Sequence, residues 1–144
     1  MNIASLLATK GRLVVTARAD QTIREALVLL ARHNIGALVV VDDGHLPIGI
    51  ISERDIVRAG ARDERIFSRT VGSLMTRDVI VAAPQDDLLT VGTTMTEKRI
   101  RHLPVVDMGR LVGIVSIGDV VKAERDRYRG EVDTLQIQLL GEGA

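Results

Sequence analysis

The chain of 144 residues contains no cysteine and no tryptophan, and only one phenylalanine and one tyrosine. Without cysteine, disulfides, cysteine zinc sites and thiolate chemistry are excluded. Apolar residues still make up 46% of the chain, so the core must consist of Val, Ile, Leu, Ala and Met. Such a core suits a small mixed fold, in which β-branched residues fill strands and Leu and Ala fill helices.

An excess of charge of one sign is also missing, because 19 Lys and Arg balance 19 Asp and Glu. We therefore expect no general affinity for nucleic acid or an anionic membrane. No apolar run approaches the roughly 18 residues of a membrane span, and the N-terminal segment MNIASLLATKGR is too short and polar for a signal peptide. We expect a soluble, cytoplasmic protein.

The chain contains an internal repeat. Residues 35–44 (IGALVVVDDG) align with residues 100–109 (IRHLPVVDMG) at an offset of 65, and residues 49–57 (GIISERDIV) align with residues 113–121 (GIVSIGDVV) at an offset of 64. One residue is therefore lost in the second turn. We place the first repeat, with its N-terminal lead-in, at residues 1–65 and the second, with an extended C-terminal helix, at residues 66–144.

Each half is predicted to form a strand, a helix, two strands and a second helix, which makes an α+β fold packed as one module. The first helix opens with the capping-box pattern Thr22-x-x-Glu25 in one half and with Asp86 or Asp87 in the other. Short Asp/Gly runs turn the chain between the apolar strands. The predicted strands are residues 13–16, 37–41 and 48–51 in the first half and 79–81, 103–106 and 111–115 in the second.

Two further segments carry apolar residues outside the duplicated pattern. The linker, residues 59–77, has the candidate anchors Ile66, Phe67, Val71, Leu74 and Met75. The C-terminal helix has a stripe at three-and-four spacing that runs past the repeat and packs either on its own domain or on a second copy. The stripe consists of Val121, Arg125, Tyr128, Val132, Leu135 and Leu139.

The strongest motif is Gly-x-x-Ser-x-x-Asp, which occurs at residues 49–55 and 113–119. Ser-x-x-Asp at a strand-to-helix junction can simply cap the helix, and the Gly can serve packing. The same geometry also suits a nucleotide. The helix N-terminus favours a phosphate, a Ser hydroxyl can donate to it, and an Asp one turn in accepts hydrogen bonds from a ribose diol. The two interpretations can hold together.

The element order, the doubled motif and the segment Arg-His-Leu-Pro-Val-Val-Asp resemble the CBS domain family. Residues 51–57 and 113–122 resemble small bacterial proteins made only of two CBS repeats, and the resemblance extends from about Leu13 to Lys122. It implies a pseudo-twofold CBS pair with two clefts between the repeats. Such a pair would be a regulatory module and not an enzyme. It would have no obligatory cofactor, would bind AMP, ADP, ATP or NAD as a regulatory ligand, and would form a homodimer that signals to an unidentified effector protein.

The resemblance also implies roles for individual residues. Asp55 and Asp119 correspond to the ribose-binding Asp, and Ser52 and Ser116 to the phosphate or ribose position. Arg54 could stack on the ligand or pair with a phosphate, and Arg101 and His102 crowd the second site together with Lys98 and Arg99, for which a helix-end role is favoured. The adenine would be flanked by Thr16, Ala17, Ile35 and Ala37 in the first copy and by Val81, Ala82, Ile100, His102 and Pro104 in the second.

Two other functions compete with this one. The clefts could stay empty in a structural or protein-interaction module. An enzyme of nucleotide metabolism is less favoured, because the inosine-monophosphate dehydrogenase in which CBS repeats also occur needs a catalytic cysteine. The three histidines have no metal-ligand spacing, and neither a Rossmann nor a P-loop motif is present. The sequence leaves open which nucleotide binds and how many clefts it occupies.

Overall fold

The computed structural model describes residues 1–142 and confirms the predicted α+β class. Residues 143 and 144, at the end of the predicted second repeat, lie outside the described part. The elements are α1 (Ile3–Lys10), β1 (Thr16–Arg18), α2 (Ile23–His33), β2 (Ala37–Val41), β3 (Pro47–Ser52), α3 (Glu53–Gly60), a 3-10 turn (Ile66–Ser68), α4 (Val71–Leu74), α5 (Leu88–Lys98), β4 (His102–Asp107), β5 (Arg110–Ser116) and α6 (Ile117–Glu142).

The strands form one sheet in each repeat. In the first sheet β1 runs parallel to β2 and β2 is antiparallel to β3, whereas β4 and β5 form an antiparallel pair. Both hairpins carry an irregularity at the equivalent place, after Val40 and after Val105. The second turn is tighter, because Met108 and Gly109 both have positive φ angles, as a two-residue hairpin turn requires. The turn therefore accounts for the residue missing from the second repeat.

The first strand of each repeat was predicted wrongly. Strand β1 begins at Thr16, three residues after the predicted start, and Leu13 is 83% exposed. In the second repeat, residues 79–81 form no strand, and a single parallel bridge joins Ala82 to Val105. Pro84 lacks the N–H needed to extend this pairing, and the Asp86 side chain turns the chain by accepting a hydrogen bond from Ala83 N at 2.8 Å.

The two repeats have separate cores, and each core includes a short helix from outside the duplicated unit. Helix α4 packs its buried Val71 into the first core. The sequence did not predict helix α1, which packs Ile3 and Leu7 into the second core, although it precedes the first repeat in the chain. The predicted boundary at residue 65 stays a prediction. Of the predicted linker anchors, Ile66, Val71 and Met75 are buried and Leu74 is partly buried, but Phe67 is 52% exposed.

Helix α6 confirms the predicted C-terminal extension, since it continues for 26 residues. Beyond the repeat its apolar stripe is open to solvent in the single chain: Tyr128 is 69% exposed, Leu135 58% and Leu139 67%. Within residues 1–142, no helix combines the length and the apolar composition that crossing a membrane requires.

Candidate functional site

Both Ser-x-x-Asp motifs cap a helix, as the packing interpretation predicted. Ser52 ends β3, and its Oγ accepts a hydrogen bond from Asp55 N at 3.2 Å, while Asp55 Oδ2 accepts one from Ser52 N at 2.9 Å. The equivalent distances for Ser116 and Asp119 are 3.1 and 2.8 Å. The cap uses only Oδ2 of Asp55, so the other carboxylate oxygen is available for a ligand.

The motif glycines allow a neighbouring segment to pack directly on the returning strand. A Cβ atom on Gly49 would lie 2.5 Å from Met75 Sδ and 3.0 Å from the Thr76 carbonyl oxygen. On Gly113 it would lie 2.6 Å from a methyl group of Leu7. Gly49 therefore lets the linker pack directly on β3, and Gly113 lets helix α1 pack directly on β5. Packing is one of the roles that the sequence allowed for these glycines.

A cavity of about 900 Å³ lies between the two repeats at the first motif. Ser52 and Asp55 stand on one side, and residues 99–102 with Pro104 stand on the other. The linker forms a further wall with Thr76 and residues 78–80. The backbone of Thr76 pairs with Ile50 through hydrogen bonds of 2.9 and 3.0 Å, which fixes this wall beside β3.

The cavity groups the predicted site residues across the repeats, whereas the sequence analysis grouped them within each repeat. In the cavity, residues that were predicted for the second site lie near Ser52 and Asp55 of the first motif. The reason is that the repeats face each other, so the motif of one copy lies opposite the second strand of the other. The predicted residues that line the cavity are Ala37, Ser52, Arg54, Asp55, Ile100, Arg101, His102 and Pro104.

The remaining predicted residues lie elsewhere. Val81 and Ala82 line a smaller cavity of about 270 Å³ beside α5. Ala17 is only 2% exposed, pairs with Val40 inside the first sheet and packs in the first core. Five predicted residues line neither cavity: Thr16, Ala17, Ile35, Ser116 and Asp119.

Sequence reasoning missed several lining residues. Arg58 had a usable signal, because it lies four residues after Arg54 and therefore on the same face of α3. Thr76 is held by backbone pairing, which leaves no pattern in the side chains. The other missed residues are Gly36, Ile50, Glu53, Val57, Asp78, Val79 and Ile80, and Arg99, assigned to a helix end, also lines the cavity.

The cavity has a slight excess of positive charge. Four guanidinium groups, from Arg54, Arg58, Arg99 and Arg101, face three carboxylates, from Glu53, Asp55 and Asp78. Planar guanidinium groups pair well with phosphate oxygens. Within the described residues, no group of three or more His, Asp or Glu side chains is placed to hold a metal ion. The lining therefore suits an organic anion.

His102 is a partly buried residue of the cavity lining. Burial lowers the pKa of its imidazole, and the nearby charge of Lys10 lowers it further, against the opposite effect of Glu53. We expect an NMR titration of the His102 ring protons to give a midpoint below the ordinary value of about 6.5. A midpoint at or above that value would contradict the described surroundings.

The same shift has a consequence for stability. Because the pKa of His102 is lower in the folded chain than in the unfolded one, its contribution is complete above the unfolded value of about 6.5 and is lost as the pH falls from there through the lower folded pKa. The free energy of unfolding should therefore decrease on acidification from neutral pH. His102→Gln should remove part of this decrease, which urea unfolding at several pH values will measure.

Fold and site together define a duplicated α+β module with a ligand-sized cleft between its repeats. The model of the CBS domain family matches residues 12–62 and 71–126. The chain belongs to the CBS domain family and contains two repeats of it.

Solved structures agree with this assignment. A CBS-domain containing protein from Agrobacterium tumefaciens is 42% identical, with a TM-score of 0.83 over 86% of this chain and 99% of that one. The CBS domain pair of protein MJ0100, in complex with 5′-methylthioadenosine and S-adenosyl-L-methionine, is 31% identical, with a TM-score of 0.80 over 88% of this chain and 98% of that one. A CBS domain protein from Pyrobaculum aerophilum, complexed with AMP, is 30% identical, with a TM-score of 0.74 over 83% and 89%.

Some relatives are longer proteins. The chain spans 62% and 39% of the lengths of two curated relatives, to which it is 39% and 38% identical.

Proposed function

We propose that this chain is a non-catalytic regulatory module that binds an adenosine-containing nucleotide in the cavity between its repeats. One observation carries the proposal: Ser52 and Asp55, at the opening turn of α3, face the arginine-rich segment 99–102 across a cavity of about 900 Å³. The caps orient both side chains before any ligand arrives, so binding requires little ordering of the site.

The chemistry of the cavity divides among three parts of a nucleotide. The free carboxylate oxygen of Asp55 accepts hydrogen bonds from the ribose diol. The guanidinium groups of Arg54 and Arg58 on α3, and those of Arg99 and Arg101 opposite, pair with phosphate. Apolar walls remain for the adenine ring, formed by Ala37, Ile80, Ile100 and Pro104.

The ligands of two similar structures support the adenosine class. One is complexed with AMP, and the other with 5′-methylthioadenosine and S-adenosyl-L-methionine. All three ligands share an adenosine-type nucleoside, which is the part that the Asp55 carboxylate and the apolar walls would recognise. AMP, ADP, ATP and NAD all contain this part and are the proposed regulatory ligands.

Calorimetric titration of the purified chain with AMP, ADP, ATP and NAD tests the proposal. We expect saturable binding of at least one of the four and much weaker binding of GMP, which differs from AMP only in the base. No saturable binding by any of them, down to millimolar affinity, would contradict the proposal and favour a structural or protein-interaction module with empty clefts. Conversion of a bound nucleotide, seen by mass spectrometry, would contradict the non-catalytic part.

A second copy of the chain is the proposed partner for the stripe on α6. Tyr128, Val132, Leu135 and Leu139 follow the alternating four- and three-residue spacing of a coiled-coil seam. Residues 122–129 contain four Lys or Arg and two acids, whereas residues 130–142 contain only acids among their charged residues. An antiparallel pair of α6 helices would place the basic segment of each against the acidic segment of the other. Signalling to an effector protein and a cytoplasmic location stay predictions.

The stripe gives a test of this homodimer. In analytical ultracentrifugation we expect the wild type to have twice the chain mass of 15.6 kDa and Leu135→Lys to shift toward the monomer, because it places two unpaired charges in an apolar seam. Met108→Lys, at a 95% exposed position in the second hairpin turn, is the matched control and should stay dimeric. A monomeric wild type, or a dimeric Leu135→Lys, would contradict the pairing.

A further inference from the structure

The second motif differs from the first because a lysine from the N-terminal helix is bound to it. Lys10, the last residue of α1, donates from Nζ to Asp119 Oδ2 at 2.6 Å and to the carbonyl oxygen of Ile114 at 2.8 Å. The side chains of Lys10 and Asp119 are only 31% and 20% exposed. Burial alone would raise the pKa of Asp119, but the bonds from Lys10 and Ser116 outweigh it and hold the carboxyl ionised.

The first motif has a backbone group at the place that Lys10 takes in the second. Ile50 corresponds to Ile114 in the repeat alignment, and its carbonyl oxygen accepts from Thr76 N at 2.9 Å. The main chain of the linker thus donates the hydrogen bond that the Ile50 carbonyl oxygen on β3 needs. In the second repeat, the side chain of Lys10 supplies the missing donor, and this anchors its ammonium group beside Asp119. Among the described residues, Asp55 has no such cation within salt-bridge distance.

Lys10 also lies close to His102, which lines the cavity at the first motif. His102 pairs with Ser116 across β4 and β5, and the charge of Lys10 acts on its imidazole. The two cavities described above include neither Ser116 nor Asp119 in their linings. The second motif therefore lines neither of these cavities, and its carboxylate is bound to the ammonium group of Lys10.

We infer that Lys10 closes the second cleft, so that each chain takes a single nucleotide, at Asp55. Asp119 Oδ2 already accepts from Ser116 N at 2.8 Å and from the ammonium group at 2.6 Å. In the described part of the chain, Asp55 Oδ2 accepts only from Ser52 N. A ribose diol that binds both carboxylate oxygens of Asp119 would have to displace Lys10 and would leave the Ile114 carbonyl without its donor. Both losses oppose binding, since breaking a partly buried ion pair and orphaning a backbone acceptor each cost free energy. This inference rests on the proposed function, because it concerns which of two equivalent motifs is open.

The stoichiometry of nucleotide binding tests the inference. Calorimetric titrations with AMP and with ATP should give one site per chain for the wild type and two for Lys10→Gln, which removes the charge and keeps a polar side chain. Lys122→Gln, an exposed lysine on α6, is the matched control and should keep one site. Asp119→Asn should leave the single wild-type site unchanged, because that carboxylate does not meet the nucleotide.

The outcomes separate this inference from the proposed function. Two sites in the wild type would overturn the role of Lys10 and leave nucleotide binding intact, whereas absence of binding in the wild type would overturn both. A Lys10→Gln variant with an unchanged circular dichroism spectrum and only one site would also overturn the inference.

A measurement on the wild type avoids any dependence on the variant's folding. The extent of acetylation at Lys10 can be followed by peptide mass spectrometry, with and without saturating AMP. We expect the same low reactivity in both conditions, because the nucleotide binds at the other motif. A rise in Lys10 acetylation on adding AMP would show that the nucleotide displaces the lysine and would overturn the inference.

Discussion

Asp55→Asn should weaken nucleotide binding by roughly 10- to 100-fold, because hydrogen bonds to a charged group contribute about 1.5–3 kcal/mol. The variant keeps one side-chain oxygen that can accept the capping hydrogen bond from Ser52 N, which is 2.9 Å long in the wild type. Helix α3 should therefore remain formed while the carboxylate that accepts the ribose diol is lost. Calorimetry with AMP and ATP, together with circular dichroism, will measure both properties.

Asp107→Asn is the control for this prediction. Asp107 ends β4, is exposed and lies outside the cavity lining, so its replacement removes a carboxylate without touching the site. Its dissociation constants should equal those of the wild type. Equal dissociation constants for Asp55→Asn and the wild type would show that the Asp55 carboxylate is only a helix cap.

Leu7→Ala should destabilise the protein by about 2–5 kcal/mol, the usual cost of truncating a buried leucine. Leu7 is 2% exposed, and its methyl groups lie against Gly113 on β5, with Ile3 in the same core. The decrease in the free energy of unfolding should be large although Leu7 lies near the start of the chain, because helix α1 is part of the second core. Equilibrium unfolding in urea will give the difference in free energy.

Leu13→Ala provides the comparison within the same N-terminal region. Leu13 is 83% exposed, so its truncation should change the free energy of unfolding by less than about 0.5 kcal/mol. If Leu7→Ala were as mild as Leu13→Ala, helix α1 would not be packed on the second repeat, and the anchoring of Lys10 beside Asp119 would lose its basis.

Features that depend on local sequence could be predicted. The strand at residues 37–41 is a continuous run of apolar residues bounded by turn residues, and it was placed without error. The cap at Ser52 also followed from residue type and position, because a short polar side chain before an apolar helix satisfies free backbone N–H groups. For α5 the same reasoning allowed Asp86 or Asp87, and the structure has Asp87 as the cap. The doubled motif marked the two helix starts for the same reason.

Features that depend on packing between distant segments could not be predicted. Helix α1 has only eight residues, and nothing in its local pattern shows that it packs on the second repeat. The lysine at its end was therefore not connected with Asp119, which lies 109 residues away. Because the two repeats face each other, Arg101 and His102 line the same cavity as Asp55. An alignment of the two copies cannot show this grouping.

A crystal structure of the protein grown with saturating AMP tests the central claim most directly. The account predicts electron density for the nucleotide between Asp55 and the segment 99–102, with the ribose on the carboxylate and the phosphate near the arginines. Density for AMP only at another place, or a cavity without nucleotide at a concentration where calorimetry shows saturation, would contradict it.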